Sequence, residues 1–188
     1  MAKFDESSII KDPAKEGVLS PPDIREHASV KVRCWPGKAK DHAAIGMPTE
    51  RVPDWQEKGI AKLGELLNNN KALRVYMDIC VRCGACADKC QYYLGTGDPQ
   101  NMPVARAELL RKVYRRYYTL GGRLAPDLND AADFDEEMLE KWYTYFYQCS
   151  ECRRCSIFCP YGIDTAEITM AAREIMSSIG VGTKYVTE

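Results

Sequence analysis

Cys80-Val81-Arg82-Cys83-Gly84-Ala85-Cys86-Ala87-Asp88-Lys89-Cys90 and Cys149-Ser150-Glu151-Cys152-Arg153-Arg154-Cys155-Ser156-Ile157-Phe158-Cys159 are two copies of one spacing, C-x2-C-x2-C-x3-C. Together they use eight of the nine cysteines. That run is the sequence form of a cubane iron–sulfur site, and two copies imply two 4Fe–4S clusters. Three thiolates two residues apart lie on a loop that wraps one face of a cube. The fourth, one residue further on, is carried away on the following segment, and in two-cluster ferredoxins it ligates the other cluster. The expected ligand sets are therefore Cys80, Cys83, Cys86 and Cys159 for cluster 1, and Cys149, Cys152, Cys155 and Cys90 for cluster 2. Such crossing locks the two motifs together and keeps the clusters close enough to exchange electrons.

Other readings of these cysteines are weaker. Zinc takes four ligands in one closed tetrahedral site, and here each motif brings a third close cysteine that zinc has no use for. Only two histidines, His27 and His42, are present. A disulfide framework belongs to small secreted domains with a signal peptide. A thioredoxin-like C-x-x-C wants a βαβ context, for which there is no pattern. Cys34, in Arg33-Cys34-Trp35-Pro36, stands apart; a small buried hydrophobe is preferred for it over a ligand or reactive thiol.

A chain of 188 residues suffices for one domain with a real core plus an appendage. No stretch approaches the ~18–20 apolar residues of a membrane span. Residues 1–6 lack the apolar core of a secretory signal. Reduced thiolates without an export signal point to the cytoplasm, and any attachment to the inner face of the cytoplasmic membrane is expected to be made through partner subunits. The formal charge of −1 omits the clusters. A 2+ core against four thiolates adds two negative charges each time, giving about −5 for the loaded chain. Arg82, Lys89, Arg153 and Arg154, inside the motifs, are then expected to offset cluster charge and raise the potentials. Nucleic-acid binding is excluded, since it wants a basic domain with a dedicated patch.

Residues 1–53 hold six of the ten prolines and show no sustained periodicity, which predicts an extended N-terminal arm. The arm either wraps a partner or is disordered. From 54 to 188 the pattern is helical. Asp54 caps a helix through Ile60, Leu63 and Leu67 that Asn68-Asn69-Asn70 ends, and Leu73–Ile79 is a short apolar lead into the first motif. Gly84 lets backbone approach the cluster, and Gly95–Pro99 is a turn. A helix opens near Asn101 with Pro103 in its first turn and stops at Gly121-Gly122. Its Arg106, Arg111, Lys112, Arg115 and Arg116 form either a solvated face or a dock for an acidic partner. Asp133 or Asp135 caps a helix through Leu139, Trp142, Tyr143 and Phe146 into Cys149. A last one, begun by Asp164 with Glu167, runs to Gly180. Strand signals are nearly absent, and 58 residues separate Cys90 from Cys149. An all-α architecture, an α-helical ferredoxin domain, is therefore expected rather than the compact βαβ type.

The stretches Met77–Cys90, Gly97-Asp98-Pro99-Gln100-Asn101-Met102-Pro103-Val104 and Tyr145–Asp164 are similar to heterodisulfide-reductase-like iron–sulfur proteins of DsrK type. Those are cytoplasmic subunits of the sulfite-reduction-associated membrane complex DsrMKJOP. The resemblance covers about residue 47 to the C-terminus; the glycine–aspartate–proline turn and the aromatic run before Cys149 narrow it within the wider group. It implies electron transfer between a membrane haem- or quinone-reactive subunit and thiol/disulfide chemistry on a DsrC-type sulfur carrier. Family members continue into a module with Cys-Cys-Gly motifs, which this sequence lacks. It is thus read as part of a longer protein or as a separate small subunit, with no substrate site of its own. The alternatives are an iron–sulfur subunit of a succinate- or glycolate-type dehydrogenase or of a soluble heterodisulfide reductase, and a structural or regulatory iron–sulfur protein.

Overall fold

In a computed structural model of the chain, residue 44, residues 46–48 and residues 50–182 are described. Cys34 and most of the arm expected over 1–53 lie outside the described residues.

Asp54 occupies the N-cap of helix α1 (Trp55–Asn69), as the sequence implied, although its carboxylate makes no capping hydrogen bond. Trp55, Leu63 and Leu67 turn inward. Asn70 both ends this helix and starts the next. Its backbone N–H donates to Leu66 O, and its side chain accepts from Leu73 N at 3.1 Å. What read as an apolar lead is therefore a second helix, α2 (Lys71–Asp78), which buries Leu73 and Met77 one turn apart.

Beyond the first motif, α3 (Gln91–Thr96) closes on Gly97 at φ +65°. Asp98 then accepts from Gln100 N at 2.9 Å and caps a 3-10 turn, Pro99–Asn101. The turn expected from Gly95 thus begins later, because Gly95 and Thr96 still belong to the helix. The long helix α4 (Pro103–Tyr118) follows, with Leu109, Leu110, Val113 and Tyr114 buried.

Gly121-Gly122 does not stop α4. Thr119 does, and its hydroxyl accepts from Gly122 N at 3.2 Å to cap α5 (Leu120–Leu124), which contains both glycines. Gly122 is needed for space: a Cβ there would stand 2.0 Å from the carbonyl oxygen of Arg115. Backbone on both sides has no flexible tip to move, so Gly122→Ala is expected to lower unfolding stability by about 1–3 kcal/mol. Chemical denaturation of the variant checks this.

Of the two candidate caps for α6 (Glu136–Gln148), Asp135 serves, accepting from Met138 N at 2.8 Å. Asp133 instead receives Arg116 Nε at 2.6 Å and the Tyr117 hydroxyl at 3.3 Å. After the second motif come the short α7 (Arg154–Ile157) and the closing α8 (Thr165–Ser178). Asp164 Oδ1 caps α8 through Ala166 N and Glu167 N and also takes the Ser156 hydroxyl at 2.8 Å.

Helices α4, α6 and α8 pack on one another and α1 lies along α8. Trp142, Phe146, Leu110, Leu139, Ile168 and Ile175 fill the centre. No strand occurs among the described residues, so the fold is all-α, as expected. The aromatics of α6 are core packing. The arginines of α4 are not the free basic face that their spacing offered. Arg106 and Arg111 are buried, and Lys112, Arg115 and Arg116 pair with Asp130, Glu108 and Asp133.

Candidate iron–sulfur site

The two motif loops share one backbone course. Arg82 and Glu151, each just before the second cysteine, have φ of +56° and +55°. Gly84 and Arg153, each just after it, have φ of +77° and +59°. Left-handed residues on both sides of a cysteine fold the loop back on itself, and three of the four are not glycine, which costs of order 1 kcal/mol each. Gly84 is explained by that φ rather than by crowding, since a Cβ there would meet nothing within 4 Å. Strain repeated at matching places marks segments shaped for a ligand rather than for their own stability.

Each loop hangs from a helix end clamped by an arginine. Before Cys80, Arg111 Nη2 donates to Tyr76 O at 3.3 Å. Before Cys149, Arg173 donates to Phe146 O at 2.7 Å and also to Cys149 O, satisfying the last carbonyls of α6. Arg173 further pairs with Glu151 at 2.7 Å and lies 5.2 Å from the Tyr147 ring centroid. Burial pushes the Tyr147 hydroxyl up to about 12, against the opposing pull of Ser177 and Arg173. The loops also hold one another. Gln91 Nε2 donates to Ser150 Oγ at 3.2 Å, and Lys89 Nζ lies 4.9 Å from the Phe158 ring centroid.

Cys80, Cys83, Cys86 and Cys159 line one cavity, with Val81, Val104, Ala107, Arg111 and Ile163. Cys90, Cys149, Cys152 and Cys155 line another, with Pro103, Arg106 and Ala166. The structure thus brings all eight motif cysteines to two cavities, four to each, with the fourth cysteine of each motif exchanged. The spaces are about equal, 400 Å³ and 340 Å³ with open solvent included. The first turns of α4 and α8 stand between them, α4 giving Val104 to one cavity and Pro103 to the other, α8 giving Thr165 and Ala166 likewise.

These residues suit a polynuclear cluster. No group of three or more His, Cys, Asp or Glu side chains among the described residues converges tightly enough to hold a metal ion. Four cysteines line each cavity. Burial pushes the Cys86 thiol up to about 11, against a hydrogen bond from the Val104 amide. Burial likewise raises Cys155, against hydrogen bonds from Thr165 and Ser156. Glu151 N donates to Cys149 Sγ at 3.4 Å. Buried thiols already aimed at by amide and hydroxyl donors become stable thiolates once a cationic core takes their charge.

The comparisons with known proteins agree with this geometry. Residues 76–163 match the 4Fe–4S dicluster domain family. This region has the fold of a 4Fe–4S dicluster ferredoxin domain. The chain is 54% identical over 137 residues to an Hdr-like menaquinol oxidoreductase iron–sulfur subunit of Archaeoglobus profundus, an overlap of 72% of the chain and 25% of the relative. A second such subunit, from Archaeoglobus fulgidus, is 53% identical over 138 residues, with 73% and 25% covered. One component of the dihydromethanophenazine:CoB–CoM heterodisulfide reductase of Methanosarcina barkeri is 30% identical over 106 residues, with 56% and 25% covered. The chain therefore spans about a quarter of the length of each of these relatives. No solved structure matches it.

Sequence reasoning missed two participants in the dicluster domain, Arg106 and Arg111, one at each cavity. It had assigned the balancing charge to Arg82, Lys89, Arg153 and Arg154 inside the motifs. Of those, Arg82 already pairs with Glu108 at 2.7 Å and Asp130 at 3.1 Å, and Arg153, which lines the second cavity, with Asp164 at 3.5 Å.

Proposed function

We propose that the chain relays single electrons through two 4Fe–4S clusters in an Hdr-like oxidoreductase, one held by Cys80, Cys83, Cys86 and Cys159, the other by Cys149, Cys152, Cys155 and Cys90. The observation that carries this reading is the sorting of the eight cysteines, four to a cavity, with Cys90 and Cys159 exchanged. When bound, each cluster supplies a one-electron carrier whose irons are all ligated by protein and sulfide. The chain's own residues fix the thiolates, donate hydrogen bonds to them and shield the space between them with the ends of α4 and α8. A saturated site of this kind passes electrons and leaves substrate chemistry to another site.

In the complex so inferred, electrons pass between a membrane menaquinol-reactive or haem-bearing subunit and a thiol/disulfide site. The names of the relatives, a menaquinol oxidoreductase and a heterodisulfide reductase, supply the two ends of that route. A finer version makes the chain DsrK-like and its thiol partner a DsrC-type sulfur carrier. What supports it is the Gly97–Val104 stretch and the aromatic run before Cys149. Among the described residues no helix is long and apolar enough to cross a membrane. Membrane contact in this reading goes through partner subunits, on the cytoplasmic face.

Anaerobically prepared protein is expected to hold about eight irons and eight acid-labile sulfides per chain, with EPR signals on reduction. About four irons, or zinc in their place, would overturn the two-cluster reading. The route is tested in the native complex: a menaquinol analogue should reduce the clusters, and a small heterodisulfide or an oxidised DsrC-type carrier should reoxidise them. Reduction by succinate or glycolate through a flavin subunit would sink the Hdr-like assignment while leaving the clusters in place.

A further inference from the structure

Arg106 is a buried cation without a counter-ion among the described residues. Its side chain is 1% exposed. Nη2 donates to the Asn101 carbonyl and to Asn101 Oδ1, both at 3.2 Å. Nε has no hydrogen-bond partner. No carboxylate among the described residues comes within ion-pair distance, whereas Arg111, one and a half turns along the same helix, has Glu108 at 3.6 Å. An unpaired guanidinium taken out of water is among the most costly groups a fold can carry. Something in the folded, loaded protein has to supply negative charge.

The cavity that Arg106 lines supplies it. Its neighbours there are Cys90, Cys149, Cys152 and Cys155. The other charged residues at that cavity each have a partner of their own: Lys89 has Asp88 at 2.7 Å, Arg153 has Asp164 at 3.5 Å and Glu151 has Arg173 at 2.7 Å. Four thiolates around a 2+ core carry two net negative charges, and reduction adds a third. A fixed, dry cation beside that charge favours the reduced form and so raises the reduction potential.

We propose that Arg106 is the built-in counter-ion of the cluster held by Cys90, Cys149, Cys152 and Cys155, and that it selectively raises that cluster's reduction potential. The proposal rests on the two-cluster reading above. It also gives a task to the Gly97–Asn101 stretch, which sequence similarity singled out and electron transfer alone does not explain. Asn101, itself 2% exposed, donates from Nδ2 to Thr96 Oγ1 at 3.1 Å while holding Arg106. Asp98 fixes that turn through Gln100 N at 2.9 Å and anchors it to α6 through the Tyr145 hydroxyl at 3.0 Å. Asn101 therefore holds the guanidinium of Arg106 where it lines the cavity.

The test is an EPR-monitored redox titration of the full, cluster-loaded chain, comparing wild type with Arg106→Met and Arg106→Lys. The signal of the second cavity is assigned as the one altered by Cys152→Ser. Arg106→Met should lower that cluster's one-electron reduction equilibrium at least tenfold, a downward shift of 59 mV or more. The other cluster's midpoint should stay in place, and Arg106→Lys should recover most of the loss. An unchanged midpoint, or equal shifts of both clusters, overturns the proposal. If Arg106→Met instead fails to retain the second cluster while Arg106→Lys keeps it, the need for a cation is upheld; loss from both variants refutes it. Wild-type protein short of about eight irons sinks the two-cluster reading itself, whatever Arg106 does.

Discussion

Cys90→Ser is expected to damage the cluster carried mainly by the second motif, and Cys159→Ser the one carried mainly by the first. The reason lies in the cavities: Cys90 faces the space shared with Cys149, Cys152 and Cys155, and Cys159 the space shared with Cys80, Cys83 and Cys86. Serine is a poorer ligand for iron, so each variant should hold about four irons fewer or show one grossly altered signal. Pairing the substitutions sharpens the readout. Cys90→Ser with Cys152→Ser strikes one cluster twice and should leave the other intact, whereas Cys90→Ser with Cys83→Ser strikes both. Mössbauer and EPR spectra of the singles and doubles decide between crossed and uncrossed ligation. If Cys90→Ser and Cys83→Ser disturb the same signal, crossed ligation is wrong, and with it the interlock that the cavities suggest.

The helices that place these cysteines were legible wherever a cap, a periodic stripe and a stop coincided. Asp164 before Ile168, Ala171, Ala172 and Ile175 announced α8, and Asp133 or Asp135 before Leu139, Trp142 and Phe146 announced α6, with the choice of Asp135 left to the structure. Helix α2 escaped because its eight residues carry only two buried positions, Leu73 and Met77, too few to display a period. Its signal was Asn70, which ends one helix and caps the next; a triple asparagine reads only as a stop. Gly121-Gly122 misled for a related reason. Glycine is a good stop where the chain needs a left-handed residue, yet Gly122 is there because α5 lies close against the carbonyl of Arg115. That approach is long-range information.

The motif loops were legible in composition but not in shape. Gly84 announces a left-handed residue, whereas Arg82, Glu151 and Arg153 adopt one with nothing in their chemistry to advertise it. The charges were the least legible. Arg106, Arg111, Lys112, Arg115 and Arg116 look alike in a helix whose one acid is Glu108. Only the fold separates them into two that lie buried at the cysteine cavities and three that are neutralised by Glu108, Asp130 and Asp133. Where a side chain goes depends on the acids around it, Glu108 on the same helix and Asp130 and Asp133 on the loop that follows α5.

Trp142→Ala is expected to have the largest effect on stability of any single substitution in the core. The indole is fully buried. It sits 4.7 Å from the Phe134 ring centroid and 5.7 Å from that of Phe146, the latter edge-on at 87°. Its Nε1–H donates to Leu109 O at 3.2 Å, tying α6 to the middle of α4. Truncation removes the largest fully buried side chain among the described residues, leaves a cavity in the core and deletes that hydrogen bond. Changes of this kind cost about 3–5 kcal/mol, against a total of roughly 5–15 kcal/mol for a typical domain. Melting of the cluster-loaded protein should fall by about 10 °C. Trp142→Phe keeps most of the volume and loses mainly the hydrogen bond, so it should cost only about 1 kcal/mol. The site should feel the larger change too. Helix α6 runs directly into Cys149, and Arg173 clamps its final carbonyls only while α6 and α8 stay in register. Iron release in denaturant should therefore begin earlier in Trp142→Ala, with the signal altered by Cys152→Ser fading first. Melting within about 2 °C of wild type, well inside the shift expected for such a loss, or simultaneous loss of both signals, would show that α6 does not set the position of Cys149 through its packing on α4.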